Sequence, residues 1–205
     1  MTPQRVRELD QADPLAAKRT LFNLPDGVIY LDGNSLGALP HAAAERISNT
    51  TTAQWGQTLI DSWNTHDWIN LPQTVGEKIA PLLGAGPQQV IACDSISVNL
   101  FKLLCLALAL QPGRTRILSD SENFPTDLYM AQGVSALLGE QRCELITVSP
   151  QRIQSAIDDN VAVVLLTHVD FRSGRLYDMA ALTKAAHAKG ALVLWDLAHS
   201  AGAMP

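Results

Sequence analysis

Ala191-Leu-Val-Leu-Trp-Asp-Leu-Ala-His199 reads as a buried parallel strand that delivers an aspartate, then a histidine, to its carboxyl edge. Strands covered on both faces lack polar alternation, and the apolar half of this stretch has none. In open α/β sheets, ligands bind outside the carboxyl ends of the strands. Asp196 and His199 are therefore expected to face a site.

Upstream, strands and helices alternate. Residues 161–166 form a second strand without polar alternation, joined to the last one by a helix over 178–189 that stops at Gly190. Further strands are expected at 90–93, 116–119 and 144–148. Helices are expected at 97–110, 126–138 and 151–158, and at 72–83, where Gly84 and Gly86 close the helix. Nearer the N-terminus, residues 4–22 read as helical with a break or a late start at Pro14. Residues 28–31 read as a short strand before the Asp32-Gly-Asn-Ser35 turn, and Pro40 opens a long helix to about residue 60. This alternation predicts an α/β protein, a three-layer α/β/α arrangement around a mostly parallel sheet.

Bulk properties narrow the function. The chain has 205 residues, 47% hydrophobic and 17% charged, enough for a sizeable core in one domain or a little more. Its formal net charge is −5 and no Lys/Arg cluster stands out, which argues against nucleic acid as a partner. The apolar run 103–110 is far shorter than the roughly 20 residues of a membrane span, and the N-terminus lacks a signal-peptide core. Cys93, Cys105 and Cys143 fit reduced thiols of a cytoplasmic protein, and no Cys/His pair has metal-ligand spacing. Gly-x-Gly-x-x-Gly, Walker-type and Gly-x-Ser-x-Gly motifs are all missing.

Five segments could carry chemistry. In Asp94-Ser-Ile-Ser-Val-Asn99, Ser95 or Ser97 can cap a helix whose first N–H groups make an anion site, and a plain helix cap is the alternative. In Glu122-Asn-Phe-Pro-Thr-Asp127, Pro125 holds Phe124 extended, off the strand edge, where it could stack on a planar cofactor. A hydrophobic staple and a helix-dipole charge are the plainer account of Phe124 and Asp127 taken alone. Thr167 ends the 161–166 strand and could donate to a ligand, while His168 reads as a structural histidine. Asp196 would be costly to bury alone, so it needs a cation or donors. An arginine, the start of the next helix or the pyridinium of pyridoxal phosphate would each serve. Trp55, Trp63, His66 and Trp68 form an aromatic cluster suited to an aromatic ring or to core or interface packing.

Tyr30-Leu-Asp-Gly-Asn-Ser-Leu-Gly37, Ser97-Val-Asn-Leu-Phe101, Asn123-Phe-Pro-Thr-Asp127, the Gly174 segment after Thr167, and Trp195-Asp-Leu-Ala-His199 together resemble kynureninase, across nearly the whole chain. The resemblance implies the large domain of the aspartate-aminotransferase fold and pyridoxal phosphate as cofactor. It implies hydrolysis of L-kynurenine or 3-hydroxykynurenine to anthranilate or 3-hydroxyanthranilate and L-alanine, a step of tryptophan catabolism and NAD biosynthesis. It assigns Ile96 and Ser97 to the phosphate end and Phe124, Pro125, Thr126 and Asp127 to the ring wall. Thr167 would touch the cofactor, Asp196 would pair with its ring nitrogen, and His199 would support the same pocket. Ser35 and Trp63 become candidate substrate contacts, and the assembly becomes a cytoplasmic homodimer. The family's Schiff-base lysine follows the aspartate by about two dozen residues, and this sequence stops at Pro205. No catalytic residue is therefore expected on the chain, which reads as 1–60, an N-terminal helical segment, and 61–205, an incomplete cofactor-binding large domain without the small domain. Another enzyme of the same fold, such as a cysteine desulfurase, or a non-catalytic remnant that binds the cofactor or dimerises, remains as the alternative.

Overall fold

The computed structural model describes residues 1–204 and divides into two units, Met1–Leu71 and the remainder from Pro72. In the first, α1 (Pro3–Ala12) is capped by Thr2, whose hydroxyl accepts the Arg5 N–H. A 3-10 turn, Ala16–Leu21, leads into β1 (Phe22–Asn23), which pairs antiparallel with β2 (Leu39–Pro40). The helix expected after Pro40 forms as α2 (His41–Asn49), a π-helical stretch Thr50–Trp55 and α3 (Gly56–Thr58). Thr50, Thr51 and Thr52 each donate a hydroxyl to the carbonyl four residues back, and such back-bonding loosens a helix where it widens here. A 3-10 turn, Leu59–Asp61, and α4 (Ser62–Thr65) follow.

Two expected strands do not form. Residues 28–31 are irregular, and Ile29 and Leu31 are almost fully exposed. There the Tyr30 hydroxyl lies 3.0 Å from the Asp32 carbonyl and 2.5 Å from that of Leu36, closing a loop on itself. Residues 90–93 lie against α5 (Leu71–Ile79) instead of joining the sheet. The Ala92 N–H donates to the Pro72 carbonyl at 3.0 Å. Gly76 permits the approach, since a Cβ there would sit 2.0 Å from the Val90 oxygen.

From α6 (Ile96–Leu110) the alternation is as expected. β3 (Arg116–Asp120), α7 (Pro125–Leu138), β4 (Glu144–Val148), α8 (Ile153–Ala156), β5 (Val161–Thr167), α9 (Met179–Ala188) and β6 (Leu192–Asp196) follow in turn. The four strands are parallel in the order β4-β3-β5-β6. Ile117, Val163 and Leu165 pack under Leu100 and Leu104 of α6 and Val134 of α7. Leu118, Val164 and Leu166 pack under Ile153 of α8 and Leu182 of α9. The period of two divides each strand between the faces, giving three layers and leaving β5 buried along its whole length. The chain runs outward from β3 to β4, then returns across β3 to β5. The order reverses at the β3/β5 edge, the position at which such sheets hold ligands.

Candidate functional site

Sheet register brings the first two site residues together. Thr167 is paired with Asp196 across β5 and β6, on the face that carries Leu165 and Leu194 toward α6 and α7. Pro125 starts α7 and keeps Phe124 extended at φ −56°, ψ 130°. Asp127, in the first turn of α7, is fully buried on that same face, while Thr126 turns to solvent. The Thr167 hydroxyl lies 3.5 Å from one Asp127 oxygen and 3.4 Å from one Asp196 oxygen.

Asn123 organises this group. Its side-chain oxygen accepts the Thr167 hydroxyl at 2.5 Å and the Phe124 N–H at 2.8 Å. Its amide donates to the Ser119 hydroxyl at 3.1 Å, and Ser119 donates to the Leu165 carbonyl at 2.8 Å. Ser119, Asn123 and Thr167 are buried and hydrogen-bonded to one another, the condition under which a polar network adds rigidity and not cost. The Thr167 hydroxyl has one proton, directed at Asn123 at the shortest distance, with the Asp127 and Asp196 oxygens at longer range. Burial, and then the adjacent Asp196 charge, push the Asp127 carboxyl up to about 7. Asp196 also accepts the Ala198 N–H at 2.8 Å, and its backbone carbonyl accepts the His168 N–H. Asp127 Oδ1 and His199 Nδ1 are buried without a hydrogen-bond partner among the described residues.

His199 lies near the same wall. Its ring centroid is 6.0 Å from that of Phe124, tilted by 50°. Phe171 meets the Phe124 ring edge to face at 5.0 Å. Behind them Asp120, almost wholly buried at the end of β3, accepts Arg175 at 2.8 Å and the Tyr177 hydroxyl at 2.5 Å. Burial, with the Asp120 contact next, pushes the Tyr177 phenol well above its ordinary range. Asp120, Asn123, Phe124, Thr167, Asp170, Phe171 and Arg175 line one narrow cleft.

The remaining expected residues lie elsewhere. Ser95 caps α6, its hydroxyl accepting the Val98 N–H at 3.4 Å. Ile96 is half exposed at the start of that helix, and the Ser97 hydroxyl makes no hydrogen bond among the described residues. Ser35 and Trp63 belong to the first unit. Ser35 donates to Asp32 at 2.8 Å. Trp63 packs edge-on to Trp68 at 6.4 Å and lines an apolar cavity of about 330 Å³ with Trp55, Leu59 and Ile60. The sequence pattern does not single out Ser119, Asp120, Phe171 or Arg175, and it gives Asn123 no role of its own. The one local signal was two polar residues, Ser119 and Asp120, closing an otherwise apolar strand.

Residues 29–205 match the family model described as aminotransferase class-V. The chain is 54% identical over 200 residues to a kynureninase of Deinococcus radiodurans, covering 95% of this chain and 48% of that protein. It is 49% identical over 208 residues to a kynureninase of Burkholderia mallei, covering 100% and 50%. The chain thus spans about half the length of the curated relatives it matches. Among solved structures it is similar to the C-DES K223A mutant with glycine covalently linked to the PLP cofactor, at TM-score 0.67 and 18% identity, over 91% of this chain and 51% of that one. A cysteine desulfurase from Thermococcus onnurineus gives TM-score 0.65 at 19% identity over 97% and 48%. At these identities the structural likeness concerns the fold alone.

Proposed function

The chain belongs to the aminotransferase class-V family, and from that premise we propose that it carries the cofactor wall of a kynureninase. The observation that supports this most directly is a pair of buried carboxyl groups, Asp127 and Asp196, set around one hydroxyl. No basic side chain is hydrogen-bonded to either of them among the described residues, and Asp127 retains an unpartnered oxygen. Such a site fits a protonated ring nitrogen.

Pyridoxal phosphate, when bound, supplies a ring that accepts electrons and so stabilises negative charge at the α-carbon of an amino-acid substrate. Asp196 and Asp127 would hold its nitrogen protonated, which maintains that electron demand. A cation between the two carboxyls would relieve their repulsion and lower the Asp127 carboxyl, allowing both to ionise. Phe124 would stack on the ring, Thr167 would touch it, and His199 would close the wall beside Phe124. Pro125 and Thr126 would hold that wall at the start of α7. Ile96 and Ser97 would offer free N–H groups and a free hydroxyl to the phosphate. Lys184 lies within α9 and Lys189 caps it, at the end of β6 opposite Asp196, so neither serves as a covalent anchor.

For the whole protein we propose hydrolysis of kynurenine, or its 3-hydroxy form, to an anthranilate and alanine, with Ser35 and Trp63 touching substrate. The working assembly is proposed to be a cytoplasmic homodimer. Among the described residues no helix is long and apolar enough to cross a membrane.

The test uses the full-length enzyme, with kynurenine turnover followed by anthranilate fluorescence and cysteine turnover by sulfide release. Kynurenine is expected to be the faster substrate, and Asp196→Ala is expected to nearly abolish its cleavage. Faster turnover of cysteine would overturn the substrate. Near-wild-type cleavage by Asp196→Ala would overturn the role of the carboxylate.

A further inference from the structure

The segment between β5 and α9 is a tightly closed hairpin, and none of the roles above falls on it. Val169 and Leu176 form an antiparallel bridge, and the Asp170 N–H donates to the Arg175 carbonyl at 2.9 Å. Gly174 turns the chain at φ +68°, a left-handed conformation that glycine adopts without strain. Inside the turn the Asp170 carboxylate accepts the Ser173 N–H at 2.7 Å, the Ser173 hydroxyl at 2.6 Å and the Arg172 N–H at 3.2 Å. Its tip presents Phe171 edge-on to Phe124.

The hairpin is also fastened to the sheet. Arg175 pairs with Asp120 at the carboxyl end of β3, and Tyr177 donates to the same Asp120 oxygen. The Arg175 guanidinium lies 4.6 Å from the Tyr177 ring centroid, and that ring face lies against its buried remaining donors. Three segments, the ends of β3 and β5 and the hairpin, therefore meet behind Phe124. The Phe124 backbone is already held by Pro125 and by the Asn123 side chain. What stays free is the rotation of its ring, since that torsion is broad for an aromatic side chain. Phe171, at 5.0 Å, and His199, at 6.0 Å, both pack near the ring and limit it.

We propose that Phe171 is a positioning residue that sets the tilt of the Phe124 ring, and that the Arg175–Asp120–Tyr177 clamp holds Phe171 in place for that purpose. The proposal rests on the reading of Phe124 as the wall against which pyridoxal phosphate stacks. A wall fixed in advance loses less freedom when a flat ring settles on it, so it binds more tightly and in one orientation.

The full-length enzyme, freed of cofactor, is titrated with pyridoxal phosphate, reading affinity from tryptophan fluorescence and orientation from the induced circular dichroism of the cofactor band. Phe171→Leu is expected to weaken binding roughly fivefold and to reduce the dichroism per bound cofactor. Phe171→Tyr keeps the ring edge and is expected to restore both. Arg175→Gln is expected to behave like Phe171→Leu, with thermal unfolding of each variant recorded alongside. Unchanged affinity and dichroism in Phe171→Leu, while Phe124→Leu loses both, would overturn the proposal and leave the cofactor reading standing. Loss in Phe171→Leu without rescue by Phe171→Tyr would also overturn it. No saturable signal from the wild-type enzyme would overturn the cofactor reading and this inference together.

Discussion

Asp127 is fully buried beside Asp196, with one oxygen that no donor reaches. Burial and the neighbouring charge raise its carboxyl to about 7, far above its value in an unfolded chain. The folded state therefore binds the Asp127 proton more tightly than the unfolded state does. Its contribution to stability is fully present below about pH 4 and is lost as pH rises toward 7. Three pH units correspond to a loss on the order of 3–4 kcal/mol. Asp127→Asn is expected to flatten this part of the profile and to be the more stable form at pH 8, as measured by urea unfolding at pH 5 and 8. An equal slope in both proteins would refute the raised carboxyl. Asn123→Ala acts on the opposite principle. It strands the Thr167 hydroxyl, the Phe124 N–H and the Ser119 oxygen in the interior, and is expected to cost about 1–3 kcal/mol in the same measurement. The placing of Asp196, Thr167 and Phe124 at the carboxyl edge was legible because each follows from its position at a strand end or before a proline. Asn123, Asp120 and Arg175 were not, because their partners lie 44, 57 and 55 residues away.

The buried strands of the sheet followed their local patterns closely, and β5 is the clearest case. Seven consecutive buried residues leave no polar face to misread. The two misread strands share a cause. Residues 28–31 and 90–93 have strand-like composition, but a strand needs a neighbour for its N–H and C=O groups. The first closes on its own turn and the second on α5. Gly76 is the position that permits the second arrangement. Gly76→Ala would drive a methyl into the Val90 carbonyl and is expected to destabilise the chain by about 1–3 kcal/mol. Gly133→Ala, within α7 where a Cβ meets nothing within 4 Å, serves as the contrast and is expected to stabilise by about 0.5–1 kcal/mol. Thermal unfolding of the two variants side by side checks the pair, and similar shifts in both would contradict the close approach.

At the level of the whole molecule, much apolar surface lies open. Leu106 and Leu110 on α6 are more than half exposed, as are Trp55, Leu59 and Ile60 in the first unit. The sheet has two edges, β4 and β6, with unpaired backbone groups along their outer sides. Surfaces of this kind associate. The chain is expected to self-associate with rising concentration in sedimentation experiments, and a monodisperse monomer at all concentrations would contradict this. Local pattern alone determined the parallel α/β/α layering and the delivery of Asp196, with Thr167 one strand away, to the carboxyl edge. Those features depend on hydrophobic period, strand length and turn residues, which are properties of neighbouring positions. Only the tertiary structure decided which polar groups share the edge. The β5–β6 register sets Thr167 against Asp196, the reversal of strand order brings Asn123 across to Thr167, and the hairpin carries Phe171 to Phe124. Each of these contacts joins residues dozens of positions apart, so its energy appears only when the crossovers close and the strands take up their register.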